Sequence, residues 1–169
     1  MDRIEKEALD GARKRVEDDS EIIEKVVLEI IEPYVSELDR YVKFIKACLS
    51  DGEKAPTDTE LGDFCINLAT LIYFASSMCE QLGIRDDISK AVWKEVYNNA
   101  RDEGKGTIAD KNSYAELHAR QEQITNICYN RAYKVVKAKV ESSQELLSSC
   151  KKVLTGRIQE YELTHITQK

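Results

Sequence analysis

Apolar residues recur at alternating steps of four and three through the last third of the chain. This spacing is the a/d pattern of a coiled-coil helix, and it continues after one four-residue stutter. Its positions are Tyr129, Tyr133, Val136, Val140, Ser143, Leu147, Cys150, Leu154, Ile158 and Tyr161. The pattern predicts one long helix from about Ala109 to about Tyr161, in which Gly156 is the only interior helix breaker.

Helical spacing also runs through the N-terminal part of the chain. Residues from Asp2 to Asp19 place their apolar positions on one face, which predicts a weakly anchored helix. Ser20 resembles a second helix start, and the apolar stripe after it continues to Asp51. Pro33 lies inside this stripe, and we expect it to kink the helix or to begin a new one because it removes a backbone donor.

The middle of the chain has its own start and stop signals. Residues 51–56 predict a loop, and Thr57 with Glu60 then begins a third helix that Gly83 is expected to end. This helix is the most apolar segment and is expected to be the central core helix.

A fourth helix is predicted after this one. An aspartate at 86–87 caps this helix, which is expected to end within residues 98–103. Residues 104–106 then break the chain, and Thr107 with Asp110 opens the long C-terminal helix.

Composition favours the same architecture. The 169 residues are about one domain long, a third of them are charged, and there are only two prolines and seven glycines. The sequence therefore predicts an all-α fold, a helical bundle of about four segments with one long C-terminal heptad-patterned helix. We expect a single domain in which residues 1–106 form an acidic helical body, and residues 107–169 form a long helix packed on that body and on another copy.

The charge distribution indicates which partners the chain could bind, and the cysteines indicate its cellular compartment. The formal net charge is −6, but from Arg131 onward the chain carries four more positive than negative charges. A basic rod on an acidic body is a candidate for binding a polyanion or the acidic part of a neighbour. Five widely spaced cysteines indicate reduced core residues, and with no signal segment or membrane-length apolar run we expect a cytoplasmic protein.

Three short patterns suggest chemistry, but each has a simpler interpretation. Residues 104–107 have the composition of a phosphate-binding loop without its spacing, which indicates a turn with a helix cap. Glu162 and His165 form one E-x-x-H step where a di-iron site needs two, and His118 with Glu122 indicates a surface pair. We therefore expect no catalysis, no cofactor and no metal.

Aromatic and basic residues interleave at the start of the basic rod. Tyr129, Arg131, Tyr133, Lys134, Lys137 and Lys139 follow one another as in single-strand binders, where bases stack on rings and phosphates contact lysines. Because Tyr129 and Tyr133 are also heptad positions, the simpler interpretation is that they are core residues beside a solvated basic face.

The runs 107–111, 129–133 and 145–158 resemble the C-terminal helices of phage-encoded recombination mediator proteins of the UvsY type. The resemblance covers about the last third of the chain. It implies a helical protein that forms oligomers, binds single-stranded DNA and helps load a recombinase. The phosphate-contacting residues that it implies are Lys134, Lys137, Lys151, Lys152 and Arg157, next to Arg131, and Tyr133 would stack on a base.

Two functions follow from these observations. The first is a non-enzymatic accessory protein, phage-encoded, that binds single-stranded nucleic acid and assists recombination or replication. The alternative is a helical interaction module, such as an inhibitor or assembly adaptor, whose acidic body binds a basic surface on a partner. In both we expect a homo-oligomer, since a body of about 100 residues is too short to cover the full length of a helix of roughly 75–80 Å. The oligomer seam comprises Val136, Val140, Leu147, Cys150, Leu154, Ile158 and Tyr161.

Overall fold

The computed structural model describes the backbone of residues 3–50 and 55–167 and the side chains of residues 12–50 and 55–164. It contains four helices, α1 (Arg3–Ser50), α2 (Asp58–Glu103), α3 (Ile108–His118) and α4 (Arg120–Thr167). The described residues are 95% helical, and no strand occurs among them. The predicted all-α helical bundle is confirmed.

Both predicted capping boxes form. At the start of α2 the backbone N–H of Thr57 donates to Glu60 Oε2 over 2.7 Å, and the N–H of Glu60 donates to Thr57 Oγ1 over 3.2 Å. At the start of α3 the N–H of Thr107 donates to Asp110 Oδ2 over 2.9 Å, and Asp110 N–H donates to Thr107 Oγ1 over 3.3 Å. Each pair satisfies two backbone donors that the first helical turn leaves without partners.

Two helices are longer than the sequence predicted. α1 runs without interruption through Ser20 and Pro33, and α2 runs without interruption through Gly83. Pro33 is exposed, and the buried residues Ile31 and Val35 lie on either side of it, so packing holds both flanks in one helix. The predicted helix boundaries at Ser20 and Gly83 were therefore wrong, because packing overrides the weak local preference.

The predicted C-terminal helix is instead divided at Ala119. This residue has φ −92° and ψ 9°, and it separates α3 from α4. Its N–H donates to Ala115 O and its carbonyl accepts from Gln123 N–H, both over 2.9 Å, so hydrogen bonding continues past the interruption. Ala115 and Ala119 are fully buried, so the interruption lies inside the core and not at the surface.

The chain forms two compact units. Unit 1 comprises Met1–Glu32 with Leu82–Lys134, and unit 2 comprises Pro33–Gln81 with Val135–Lys169. α1, α2 and α4 each contribute to both units. The C-terminal helix α4 therefore contributes residues to each of the two units.

The core of unit 2 contains residues from three helices. Its buried side chains include Val35, Leu38 and Ile45 of α1, Leu61, Leu68 and Ile72 of α2, and Val136, Val140 and Cys150 of α4. Since these residues bury one another within a single copy, most of the heptad seam needs no second copy to cover it. That corrects the premise of the seam prediction, which took the rest of the chain to be too short.

The seam becomes exposed toward its end. Leu147 and Leu154 are half-buried, whereas Ile158 and Tyr161 are 47% and 67% exposed. Ile158 and Tyr161 are therefore the most exposed of the seven predicted seam positions.

Candidate binding surfaces

The predicted nucleic-acid residues are divided between the two units. Arg131, Tyr133 and Lys134 lie in unit 1, and the others lie in unit 2. Five of the seven side chains are exposed: Arg131, Lys134, Lys137, Lys151 and Lys152. These five are available to a polyanion, whereas Tyr133 and Arg157 are only half-exposed and have other contacts.

Tyr133 packs against α2. A methyl group built on Gly83 would lie 3.2 Å from Tyr133 Cε2 and 3.6 Å from Cδ2, so the ring lies directly against the glycine. The half-buried Tyr133 therefore acts as a packing residue. This contact favours the core interpretation of Tyr133 over base stacking.

Arg157 anchors the start of α2. Its Nη1 donates to the carbonyl of Pro56 over 2.6 Å and to Asp58 Oδ1 over 3.2 Å. Lys139 likewise pairs with Asp39. These two basic groups join α4 to α1 and α2 within unit 2, and Nη1 of Arg157 is engaged in contacts inside the chain.

The basic residues of unit 2 alternate with acidic ones. Glu141 and Glu145 line a shallow groove of about 520 Å³ together with Lys152 and neighbouring polar residues. Because Glu141 is also four residues after Lys137, the carboxylates interrupt the row of lysines. The exposed side of α4 is therefore a mixed surface and not a continuous basic stripe.

The most unusual surface belongs to α2. The sixteen consecutive residues Phe64–Cys79 contain no charged side chain, although a third of the whole chain is charged. One side of this segment is buried in the core, but Ile66, Tyr73 and Phe74 on the other side are 68%, 73% and 58% exposed. We call this exposed side the uncharged face; its members are Ile66, Asn67, Thr70, Tyr73, Phe74 and Ser77.

Aromatic residues of α1 lie close to the same segment. Phe44 is half-exposed and packs edge-on against Phe64 with ring centroids 5.8 Å apart, while Tyr73 and Phe74 are 5.5 Å apart. Phe44 and Leu71 also line a groove of about 350 Å³ in unit 2. A segment of α2 is apolar and long enough to cross a membrane by length and composition, but a core helix meets the same criterion, and a third of that segment is buried.

A third groove lies between α2 and α4 in unit 1. Residues at helical spacing on both helices line about 500 Å³. They are Arg85, Ile88, Ser89 and Val92 of α2 and Gln121, Glu122, Thr125 and Tyr129 of α4. The sequence patterns indicated Glu122 and Tyr129 as candidate contact residues, and Ile88 and Val92 only as apolar helix positions, but they did not bring the two helices together.

A polar network lies beside this groove. Asn130 Nδ2 donates to Asp86 Oδ2 over 2.9 Å, and Asn126 Nδ2 donates to Ser89 Oγ over 3.0 Å. The Ser89 hydroxyl in turn donates to the carbonyl of Asp86 over 2.8 Å. If α2 and α4 slid along each other, the half-buried amide groups of Asn126 and Asn130 would lose these acceptors. The network therefore favours the observed alignment of α2 and α4 in unit 1.

The loop with the composition of a phosphate site is a helix cap, as predicted. Gly106 has a φ of 101°, in the left-handed region that glycine tolerates, and the Asp110 carboxylate occupies the N-terminus of α3. Its hydrogen bonds from Thr107 lower the pKa of Asp110. An internal carboxylate thus takes the place that a phosphate would need.

The histidine and cysteine predictions have different outcomes. The His118 ring stacks on the Tyr114 ring with centroids 4.2 Å apart. His118 makes no ion pair with Glu122, so the predicted surface pair is absent. The side chain of His165 lies outside the described residues.

All five cysteines are unpaired. Burial raises the pKa of Cys79, Cys128 and Cys150, which favours the neutral thiol. The described residues contain no cluster of three potential metal ligands.

No protein-family model, no curated protein and no solved structure matches this chain.

The contact between Gly83 and Tyr133 gives a stability prediction. Alanine in a helix interior normally stabilises by about 0.5–1 kcal/mol relative to glycine. At Gly83 the new methyl group would press on the rigid Tyr133 ring, so we expect Gly83→Ala to give no gain or a loss of about 1 kcal/mol in urea denaturation.

Gly62 is the matched control for this substitution. It lies in the same helix, and a methyl group there would meet nothing within 4 Å. We expect Gly62→Ala to show the ordinary gain. Equal stabilisation by both variants would show that Tyr133 moves freely and remains available for base stacking.

Proposed function

We propose that this protein acts by binding and not by catalysis, as a cytoplasmic helical accessory protein that self-associates through the uncharged face of α2. The observation that supports this proposal is the exposure of Ile66, Tyr73 and Phe74 in a segment without charges. Large apolar side chains exposed together on one face mark interaction sites in soluble proteins. Aromatic enrichment and depletion of charge are also what distinguish the centre of a protein interface.

A second copy of the chain is the partner that this face fits. In a two-fold dimer the same patch meets itself, so any charged group near the axis would lie close to an equal charge. The uncharged face has no such group, and its rings and hydroxyls are compatible with their own copies. The proposal keeps the predicted homo-oligomer but places its contact on α2 and not on the heptad seam.

Light scattering tests this proposal. We expect the protein at micromolar concentration to have twice the mass of one 19.3 kDa chain. Tyr73→Glu combined with Phe74→Glu should reduce the mass to that of one chain, because a dimer would have to bury four unpaired carboxylates.

Leu117→Glu is the matched control, because Leu117 of α3 is 72% exposed and lies outside the uncharged face. We expect this variant to remain a dimer. A mass near 19.3 kDa for the unmodified protein, or an unchanged dimer in the double variant, would refute the proposal.

Single-stranded nucleic acid is the second candidate ligand. The resemblance to recombination mediators suggests it, and the exposure of Lys137, Lys151 and Lys152 in unit 2 supports it. The corresponding cellular role would be to help load a recombinase onto such a strand. The nearby Glu141 and Glu145 weaken the attraction, which is why we place this function second.

A further inference from the structure

The groove of unit 1 contains a carboxylate without a partner. Glu122 is half-buried, and its Oε2 atom is buried with no hydrogen-bond donor. The described residues provide no ion pair to Glu122 either. A buried acceptor left without a donor destabilises the folded state, and a charged one does so most, so a ligand that brings a donor and a positive charge here would relieve this cost.

The walls around Glu122 determine what the rest of the ligand must be. Ile88 and Val92 are largely exposed on the α2 side, and the half-buried Tyr129 ring lies on the α4 side. These surfaces favour an alkyl chain, and an aromatic ring also attracts a nearby cation. The volume of about 500 Å³ lies within the range of small-ligand sites.

The other polar groups of the groove leave the carboxylate as the principal charged contact. Thr125 Oγ1 donates to the carbonyl of Gln121 over 3.0 Å, and Ser89 Oγ donates to Asp86 O. Arg85 already takes part in an interaction within the chain. Glu122 is therefore the group toward which a cationic ligand would be oriented.

We propose that the groove between α2 and α4 binds an alkylammonium group, with the ammonium at Glu122 and the alkyl chain against Ile88 and Val92. This site is independent of the uncharged face, which lies in unit 2. The same chemistry occurs in free alkylamines and in lysine side chains, and binding experiments distinguish the two sources.

Titration of the full-length protein with n-pentylamine tests the site directly. Amide chemical shifts of residues around Glu122 and Tyr129 should move in a saturable manner. Pentan-1-ol has the same chain without the charge, and we expect it to bind at least about tenfold more weakly, a loss of roughly 1.4 kcal/mol. Equal binding of amine and alcohol would overturn the proposal, as would the absence of shifts with either.

Two variants locate the ammonium. Glu122→Gln keeps the shape of the side chain and removes its charge, so we expect at least about a tenfold loss of pentylamine affinity. Glu116→Gln is the control, since Glu116 is an exposed acid of the same unit that does not line this groove. Unchanged affinity in Glu122→Gln would show that the ammonium does not bind there.

The final comparison separates the two sources of the ligand. N-acetyl-lysine methylamide presents the ammonium on a peptide backbone, whereas 1,5-diaminopentane represents a free polyamine. Tighter binding of the lysine derivative would identify a peptide ligand, and tighter binding of the diamine would identify a small molecule; both results would support the site. Displacement of pentylamine by neither compound would contradict the proposed chemistry.

Discussion

Replacing Val136 by aspartate is expected to remove a large part of the stability of the protein. The Val136 side chain has no exposed surface and lies in the core of unit 2. An unpaired charge at such a site costs roughly 3–5 kcal/mol, which is a large fraction of the stability of an ordinary domain. For a chain of this size we expect Tm to fall by roughly 6–20 °C in a circular-dichroism melt.

Ile158→Asp provides the comparison. Ile158 belongs to the same heptad seam but is half-exposed, so its replacement should leave the helix content unchanged and alter Tm by only a few degrees. If Val136→Asp instead kept the Tm of the unmodified protein and only lowered its mass, Val136 would lie between two copies. That result would restore the seam as the oligomer contact.

The helix starts were predictable because their signals are local. Thr57 and Thr107 each lie three residues before an acidic side chain that can return a hydrogen bond, and both boxes form as the spacing indicates. The all-α class followed from periodicity and from the scarcity of glycine and proline. Interactions within one helical turn are present in the sequence itself, so no tertiary information was needed.

The helix ends depend on contacts far away in the sequence. Gly83 has the composition of a stop signal, but the ring of Tyr133, fifty residues later, packs on it within a continuous helix. Ala119 has no breaking tendency and yet divides α3 from α4 at a fully buried position. In both places tertiary packing determines whether the helix continues. The local sequence signal was misleading at Gly83 and absent at Ala119.

Periodicity identified buried positions without identifying what buries them. Val136, Val140 and Cys150 are buried as the heptad pattern predicted, but by α1 and α2 of the same chain. The uncharged face was missed because α2 was taken to be wholly internal. Its signal was present in the sequence, since Ile66, Tyr73 and Phe74 fall outside the stripe of positions that one core can bury.

The candidate sites also combine features that the sequence shows with features that only long-range contacts reveal. Exposed lysines can be identified in the sequence, but the contact that turns Arg157 toward Pro56 cannot, because those residues are about a hundred positions apart. The groove at Glu122 combines two helices whose register is set by Asp86 and Asn130. No single stretch of sequence contains that combination.

Nucleic-acid binding, if it is a function of this protein, is expected to weaken steeply with salt. Each phosphate neutralised on a single strand contributes about −0.7 to the slope of log affinity against log salt. The three exposed lysines of α4 in unit 2, Lys137, Lys151 and Lys152, would give a slope of about −2. Between 50 and 200 mM salt the affinity for a labelled oligothymidine should then fall roughly 20-fold in a polarisation assay.

Substitution of two of these lysines shows whether they make the contact. Lys151→Ala with Lys152→Ala should reduce the slope by about 1.4, because two phosphates would keep their counterions. Lys43→Ala with Lys46→Ala is the matched control, since these lysines are also exposed in unit 2 but lie on α1, outside the predicted set. Loss of the same slope in both double variants would indicate general electrostatic attraction and not a site on α4. Absence of any polarisation change at about 50 mM salt, where phosphate contacts are strong, would remove nucleic acid from the functions of this protein and leave self-association through α2.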